Sequence, residues 1–225
     1  MDIYTAVESR RAVRAFTAEP IAPAVLERML SAAARTPSGA NLQPWNIYVV
    51  TGAALEELKK STSERVAAGD RGDAPEYRMY PPDLPPPYKQ RRAAAAEQRY
   101  RAHGIHRTDA RARAAQVAAN WNCFGAPAAL FCYIDQLMGP PQWADLGMYL
   151  QTVMLLLRAE GLHSCTQMAW SVYHRTVAEV VCPPDGAILF CGMSIGFEDP
   201  TTSHPRIKRA PLAETVTFID DRPRR

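Results

Sequence analysis

The stretch Ser9-Arg10-Arg11-Ala12-Val13-Arg14 places three guanidiniums within five residues. Guanidinium forks pair bidentately with phosphate and stay charged, so such a cluster suits a dianionic phosphate; a solvated basic patch is the competing reading. A second basic cluster, Arg206-Ile207-Lys208-Arg209, lies late in the chain and by itself reads as a surface loop. Between them comes Thr36-Pro37-Ser38-Gly39-Ala40-Asn41-Leu42-Gln43-Pro44-Trp45, which carries a hydroxyl, a glycine and two side-chain amides. A capping turn accounts for Ser38 and Gly39 and leaves both amides idle. An amide donates and accepts at once, Gly39 admits close backbone approach, and Pro37 and Pro44 stiffen the loop.

Other chemistry is thinner. Cys165 has no carboxylate-oriented His beside it in the sequence, so it reads as an inert thiol. The five cysteines form no CxxC pair, and the five histidines show no metal-like spacing, so neither a disulfide framework nor a metal site is expected. Neither GxGxxG nor GxxxxGK occurs, so a cofactor phosphate would be held by side chains.

The elements that must position these residues follow from periodicity and punctuation. Helices are expected at 3–9, 23–35, 53–68, 89–103, 108–122, 143–160 and 171–181, and strands at 46–51, 128–134, 187–196 and 214–220. Residues 69–88 are crowded with Pro, Gly and charge, which suggests a lid-like excursion, placed at about 70–107 with the helix that follows it. Strands separated by long helical segments without a βαβ rhythm indicate an α+β sandwich. At 225 residues and 47% apolar the chain suits a single domain, 1–225, and its net charge of +3 gives no stripe for nucleic acid. The longest apolar run, 146–157, falls short of the roughly 20 residues of a membrane span, and the acidic second residue with no apolar stretch after it excludes a signal peptide. A cytoplasmic protein without a membrane partner is therefore expected.

Four stretches in order over nearly the whole chain, SRRAVRAF, PSGANLQPW, GLHSCTQMAW and CGMSIGFEDP with RAPLAETVTF after it, resemble the FMN-dependent nitroreductase family. Residues 80–116 are similar to the insertion of a branch that includes nitrobenzoate-type reductases. The resemblance implies a nitroreductase-like α+β sandwich, with a mostly antiparallel central sheet and a C-terminal strand exchanged between the subunits of a homodimer. It implies FMN as cofactor, NADPH or NADH as electron donor, and ping-pong hydride transfer through flavin N5 to a nitroaromatic or related electron-poor aromatic or quinone. No side-chain catalyst is implied.

By the same resemblance Arg10, Arg11 and Arg209, helped by Lys208, hold the phosphate and ribityl end, and Arg14 lies near the flavin pyrimidine. Pro37, Ser38, Asn41 and Gln43 reach across from the neighbouring subunit. Gln167, Met168 and Ala169 run along the flavin, with the backbone N–H of Met168 or Ala169 toward N5. Tyr88, Tyr100, Trp121 and Phe124 are candidates for a wall over an aromatic substrate, core packing being the rival fate of the last two. Lys89, Arg91, Arg92, Arg99 and Arg101 either receive a 2′-phosphate or substrate carboxylate or form a solvated helix face. The chain departs from relatives at Ala12, often Ser, and at Met168, Glu in some. Two alternatives stay open: a flavoenzyme of the same fold with another substrate, such as a reductive dehalogenase or an ene- or quinone-reductase, and a non-catalytic FMN-binding or storage protein.

Overall fold

The structure, a computed structural model, describes residues 1–219. Four strands, β1 (Asn46–Thr51), β2 (Ala128–Asp135), β3 (His163–Gln167) and β4 (Ala187–Gly196), form one antiparallel sheet in the order β1-β2-β4-β3. Seven α-helices are described: α1 (Ile3–Ser9), α2 (Pro23–Ala33), α3 (Gly52–Ala67), α4 (Tyr88–Ala102), α5 (Ala110–Ala118), α6 (Pro140–Ala159) and α7 (His174–Val181).

Both faces of the sheet are buried, and alternation divides their residues. Leu130, Cys132 and Ile134 of β2 face α2 and α6, where Leu26, Met29, Leu146 and Val153 complete one core. Ala129, Phe131 and Tyr133 face the other way, toward Leu55 and Leu58 of α3, Trp170 and Val177. A bulge opposite Cys132 and Tyr133 leaves Phe190 unpaired in the register, so Leu189 and Cys191 fall in different cores although two residues apart.

Three expectations need correction. Strand β3 was not anticipated, because HSCTQ is short and polar for a strand; it forms by pairing with β4. Helix α5 covers only Ala110–Ala118, since Cys123 and Phe124 adopt positive φ (48° and 54°) and turn the chain into β2. Of the expected strand 214–220, Leu212–Glu214 forms a short 3-10 turn and 215–219 is irregular, while residue 220 lies outside the described residues. A strand needs a ladder partner, and residues 214–219 meet none among the described residues of the single chain.

Residues 70–87 contain no helix or strand but are tied down. Arg65 bonds Asp70 at 2.7 Å and Asp73 at 3.0 Å, and Tyr77 donates its hydroxyl to the Phe190 carbonyl. The excursion is thus a strap across β4.

Candidate functional site

Beyond α1 the chain runs extended, with Ala12 bridged to Ser164 of β3 and the Val13 N–H bonded to the Ser164 carbonyl at 3.1 Å. Side chains alternate in such a run, which sets Arg10, Ala12 and Arg14 on one side and Arg11 and Val13 on the other. Val13 is fully buried, and Arg11 pairs with Glu198. Arg11 is thus engaged by Glu198, whereas Arg10 and Arg14 are not paired with a carboxylate among the described residues. Glu198 also lies 3.5 Å from the buried His163 ring, and Arg158 beside it bonds the Ser9 hydroxyl (3.2 Å) and the Leu162 carbonyl (2.7 Å). Burial, with the charges of Arg158 and Arg11, pushes His163 down to about 4, so it is neutral at physiological pH.

Arg10 is half-buried, and both burial and the positive charge of Arg209 lower its pKa. The two ends of the chain thus bring like charges together. Among the described residues neither of them, nor Arg14, pairs with a carboxylate; Arg209 bonds only the Ile207 carbonyl (2.7 Å) and Arg14 only that of Ala12 (3.5 Å). The late segment is anchored on α4, where the Lys208 N–H bonds Gln98 at 3.1 Å and Glu214 pairs with Arg91 at 2.9 Å. The Lys208 side chain itself is exposed.

Arg14 borders a cavity of about 320 Å³, lined also by His103, Gln116, Thr202, Phe124 and the small residues Ala112, Ala115 and Ala119 of the α5 region. The Gln116 side-chain oxygen is buried there without a hydrogen-bond partner among the described residues. Burial, His204, Arg14 and Arg99 lower the pKa of His103. Gln116 and His103 were missed from sequence; the available signal was one amide in a stripe of alanines at spacing i, i+3, i+4, i+7.

At the end of β3, Gln167 turns away from this side. Its amide is buried, donating to the Asn120 carbonyl at 2.8 Å and accepting from the Ser194 hydroxyl. The Gln167 side chain is thereby engaged within the chain. Met168 and Ala169 begin the 3-10 turn Met168–Tyr173, where the first N–H groups of a helical turn have no acceptor within the turn. Cys165 is buried, and burial raises its pKa, consistent with an inert thiol.

The loop 36–45 is held by its own side chains. Ser38 accepts from the Gln43 N–H at 2.9 Å, Gln43 donates to the Asn41 carbonyl at 3.1 Å, and Trp45 stacks on Tyr149 at 4.8 Å. Ala40, Asn41 and Gln43 all have positive φ (49°, 57° and 48°), a strain that folds retain where the backbone must take one shape. Pro37 and Asn41 are exposed. Gly39 bonds Asp145 of α6 at 3.2 Å, whereas Ser9, next to Arg10, bonds Arg158 of the same helix. Those anchor points stand 13 residues apart, or about 20 Å along an α-helix. Within one chain the loop and Arg10 do not meet.

The four aromatic candidates do not form one wall. Phe124 lines the Arg14 cavity, Tyr100 and Trp121 line another on the opposite face of α5, and Tyr88 is exposed. Of the basic residues nearby, Arg91 and Arg101 pair with Glu214 and Glu97, and Arg92 and Arg99 lie over the Tyr80 and Tyr100 rings.

The Nitroreductase family matches residues 7–197 of this chain. The chain belongs to that family. It is 33% identical over 220 residues to a nitrobenzene nitroreductase of Ectopseudomonas oleovorans, covering 96% of each. It is 34% identical over 198 residues to a 4-nitrobenzoate reductase of Pseudomonas putida, covering 88% of this chain and 86% of that one. Among solved structures it resembles the FMN and NADPH-dependent nitroreductase NfnB of Sphigopyxis sp. strain HMH, with a TM-score of 0.93 and 41% identity over 98% of this chain and 100% of the other. NfnB of Mycobacterium smegmatis, solved in complex with NADPH, gives a TM-score of 0.90 at 29% identity, covering 96% and 97%. As in those relatives, the fold is the nitroreductase α+β sandwich.

Proposed function

We propose that the protein is an FMN-dependent NAD(P)H nitroreductase acting on nitroaromatic compounds. The observation that carries this reading is the approach of Arg10 and Arg209, two guanidiniums without a carboxylate partner among the described residues. Like charges brought together in a folded chain cost free energy unless an anion is held there, and a phosphate monoester matches two forks.

The residues present fit FMN. From Arg10 to Arg14 an extended chain spans about 13 Å, so the two guanidiniums would serve separate ends of one elongated cofactor. At the far end Arg14 supplies a cation for the edge that gains negative charge on reduction, and the unpartnered Gln116 oxygen suits a ring N–H donor. When bound, FMN supplies reversible hydride chemistry. Of this chain's groups, Arg10 and Arg209 would hold the phosphate, Arg14 and Gln116 would orient the ring, and the backbone of Met168 and Ala169 would border it. Ala112, Ala115 and Ala119 would give that cavity an apolar wall. Arg11 is left to the Glu198 pair.

The reading includes a homodimer. Loop 36–45 lies about 20 Å along α6 from Arg10, so Ser38, Asn41 and Gln43 serve a cofactor only if it belongs to a second copy. Exposed Ile3, Tyr4 and Val7 on α1 and Met148 on α6 offer the apolar surface that such a contact covers. Residues of about 70–107, with helix α4 among them, act in this reading as the lid of a single domain, and a soluble cytoplasmic location suits a chain in which no described helix is long and apolar enough to cross a membrane.

Anaerobic mixing of the FMN-loaded protein with NADPH, then with nitrobenzene, tests the activity. Rapid bleaching of the flavin band by NADPH and recovery with nitrobenzene are expected, with parallel double-reciprocal plots. A band that barely changes would favour the storage alternative and overturn the enzyme reading.

A further inference from the structure

Helix α5 separates two cavities and contributes no buried residue to either. One face borders Arg14. The other, through Arg113 and Val117, borders a larger cavity of about 500 Å³ whose remaining walls include Tyr100, Trp121 and Tyr173. That volume is in the range that holds small organic ligands.

The second cavity has a chemistry of its own. The Trp121 indole N–H is buried without an acceptor among the described residues, and a buried donor left unpaired costs about 1–3 kcal/mol. Trp121 meets Tyr173 edge-on at 5.7 Å between ring centres, so both rings are fixed. Arg113 stands 5.3 Å from the centre of the Tyr100 ring and has no carboxylate partner among the described residues. Arg65, over Tyr173 at 4.9 Å, is already neutralised by Asp70 and Asp73. Among the described residues no acidic side chain lines the cavity. The cavity therefore offers an exposed guanidinium that bonds the Arg107 carbonyl (3.3 Å) and one indole N–H without an acceptor among the described residues, set among three aromatic rings.

We infer that this cavity is a second small-molecule site, for a planar aromatic carboxylate whose charge pairs with Arg113, whose acceptor takes the Trp121 N–H and whose ring packs against Trp121, Tyr100 and Tyr173. It lies across α5 from the proposed flavin ring and does not depend on that reading. A neutral aromatic would forgo the charge-assisted pair with the guanidinium, and a non-aromatic acid would waste the rings.

Titration of the protein with benzoate, followed by calorimetry and tryptophan fluorescence, tests the site. One binding event per chain is expected that Arg113→Ala weakens about tenfold or more and Trp121→Phe, which keeps the ring and removes the N–H, weakens by about fivefold. Benzyl alcohol, similar in shape but uncharged, should bind weakly and ignore Arg113→Ala. In FMN-loaded protein this event should leave the flavin spectrum unchanged, whereas benzoate bound against the flavin would shift it and would not respond to Arg113→Ala. Absence of benzoate binding, binding only at the flavin, or binding indifferent to both substitutions would overturn the inference. A protein that rejects FMN yet binds benzoate through Arg113 would sink the flavin reading and leave this one standing.

Discussion

Arg10 and Arg11 are neighbours with opposite assignments. Arg10 shares its surroundings with Arg209, whereas Arg11 meets Glu198 on the side of the buried His163 and Arg158. Replacing Arg11 with Ala strands a half-buried carboxylate, so a stability loss of about 1–3 kcal/mol is expected. Urea unfolding would measure it, and FMN affinity should fall much less than in Arg10→Ala. His163 adds a pH dependence of known sign. Folded, it titrates at about 4; unfolded, near its ordinary 6.5. Below pH 6.5 the unfolded chain takes up a proton that the folded one refuses, so the stability His163 confers is full above that pH and lost as pH falls toward 4. A separation of that size is worth roughly 3 kcal/mol. His163→Gln should flatten this part of the stability profile between pH 6.5 and 4; an unchanged profile would show that His163 is not held neutral. The arginine cluster and the amide loop were legible from residue types alone. Which side of the chain each residue faces was not, because strand parity has two solutions. The Ala12–Ser164 bridge decides Arg11, and the pairing of β3 with β4 decides Gln167.

At the scale of elements, packing against β4 is unforgiving. A Cβ at Gly192 would lie 2.5 Å from Trp170 Cδ1 and 3.1 Å from Phe131 Cε1, so Gly192→Ala forces two core rings to move. Overpacking of this kind costs about 1–3 kcal/mol, which in a chain of this length lowers Tm by roughly 2–9 °C. Calorimetry would read it, and an unchanged Tm would show that Trp170 has room to shift. The long apolar elements were readable because their periods are strong: Val, Ile and Tyr mark β1, and the apolar run of α6 needs no partner to be recognised. Helix α5 was not. Its alanines carry little amphipathic signal, and only the fold shows that one face borders Arg14 and the other Tyr100 and Trp121.

At the scale of the molecule, one chain holds the parts of a cofactor site without closing it. The loop with Asn41 and Gln43 is anchored near one end of α6 and Arg10 near the other, and Leu212, Phe218 and Ile219 of the tail leave their side chains in solvent. In the proposed homodimer a second copy would answer both facts, its sheet taking the tail. Truncation after Arg209 should shift sedimentation from dimer toward monomer and lower Tm; a truncated protein that stays dimeric with the same Tm would refute the exchange. In the proposed function Arg10 and Arg209 together would hold the phosphate of FMN. Fluorescence titration with FMN and with riboflavin, which lacks only that phosphate, tests it most directly. The intact protein should prefer FMN by about a hundredfold, as two charge-assisted contacts would give, and Arg10→Ala with Arg209→Ala should erase the preference. Equal affinity of the intact protein for the two flavins, or a preference that survives both substitutions, would contradict the account.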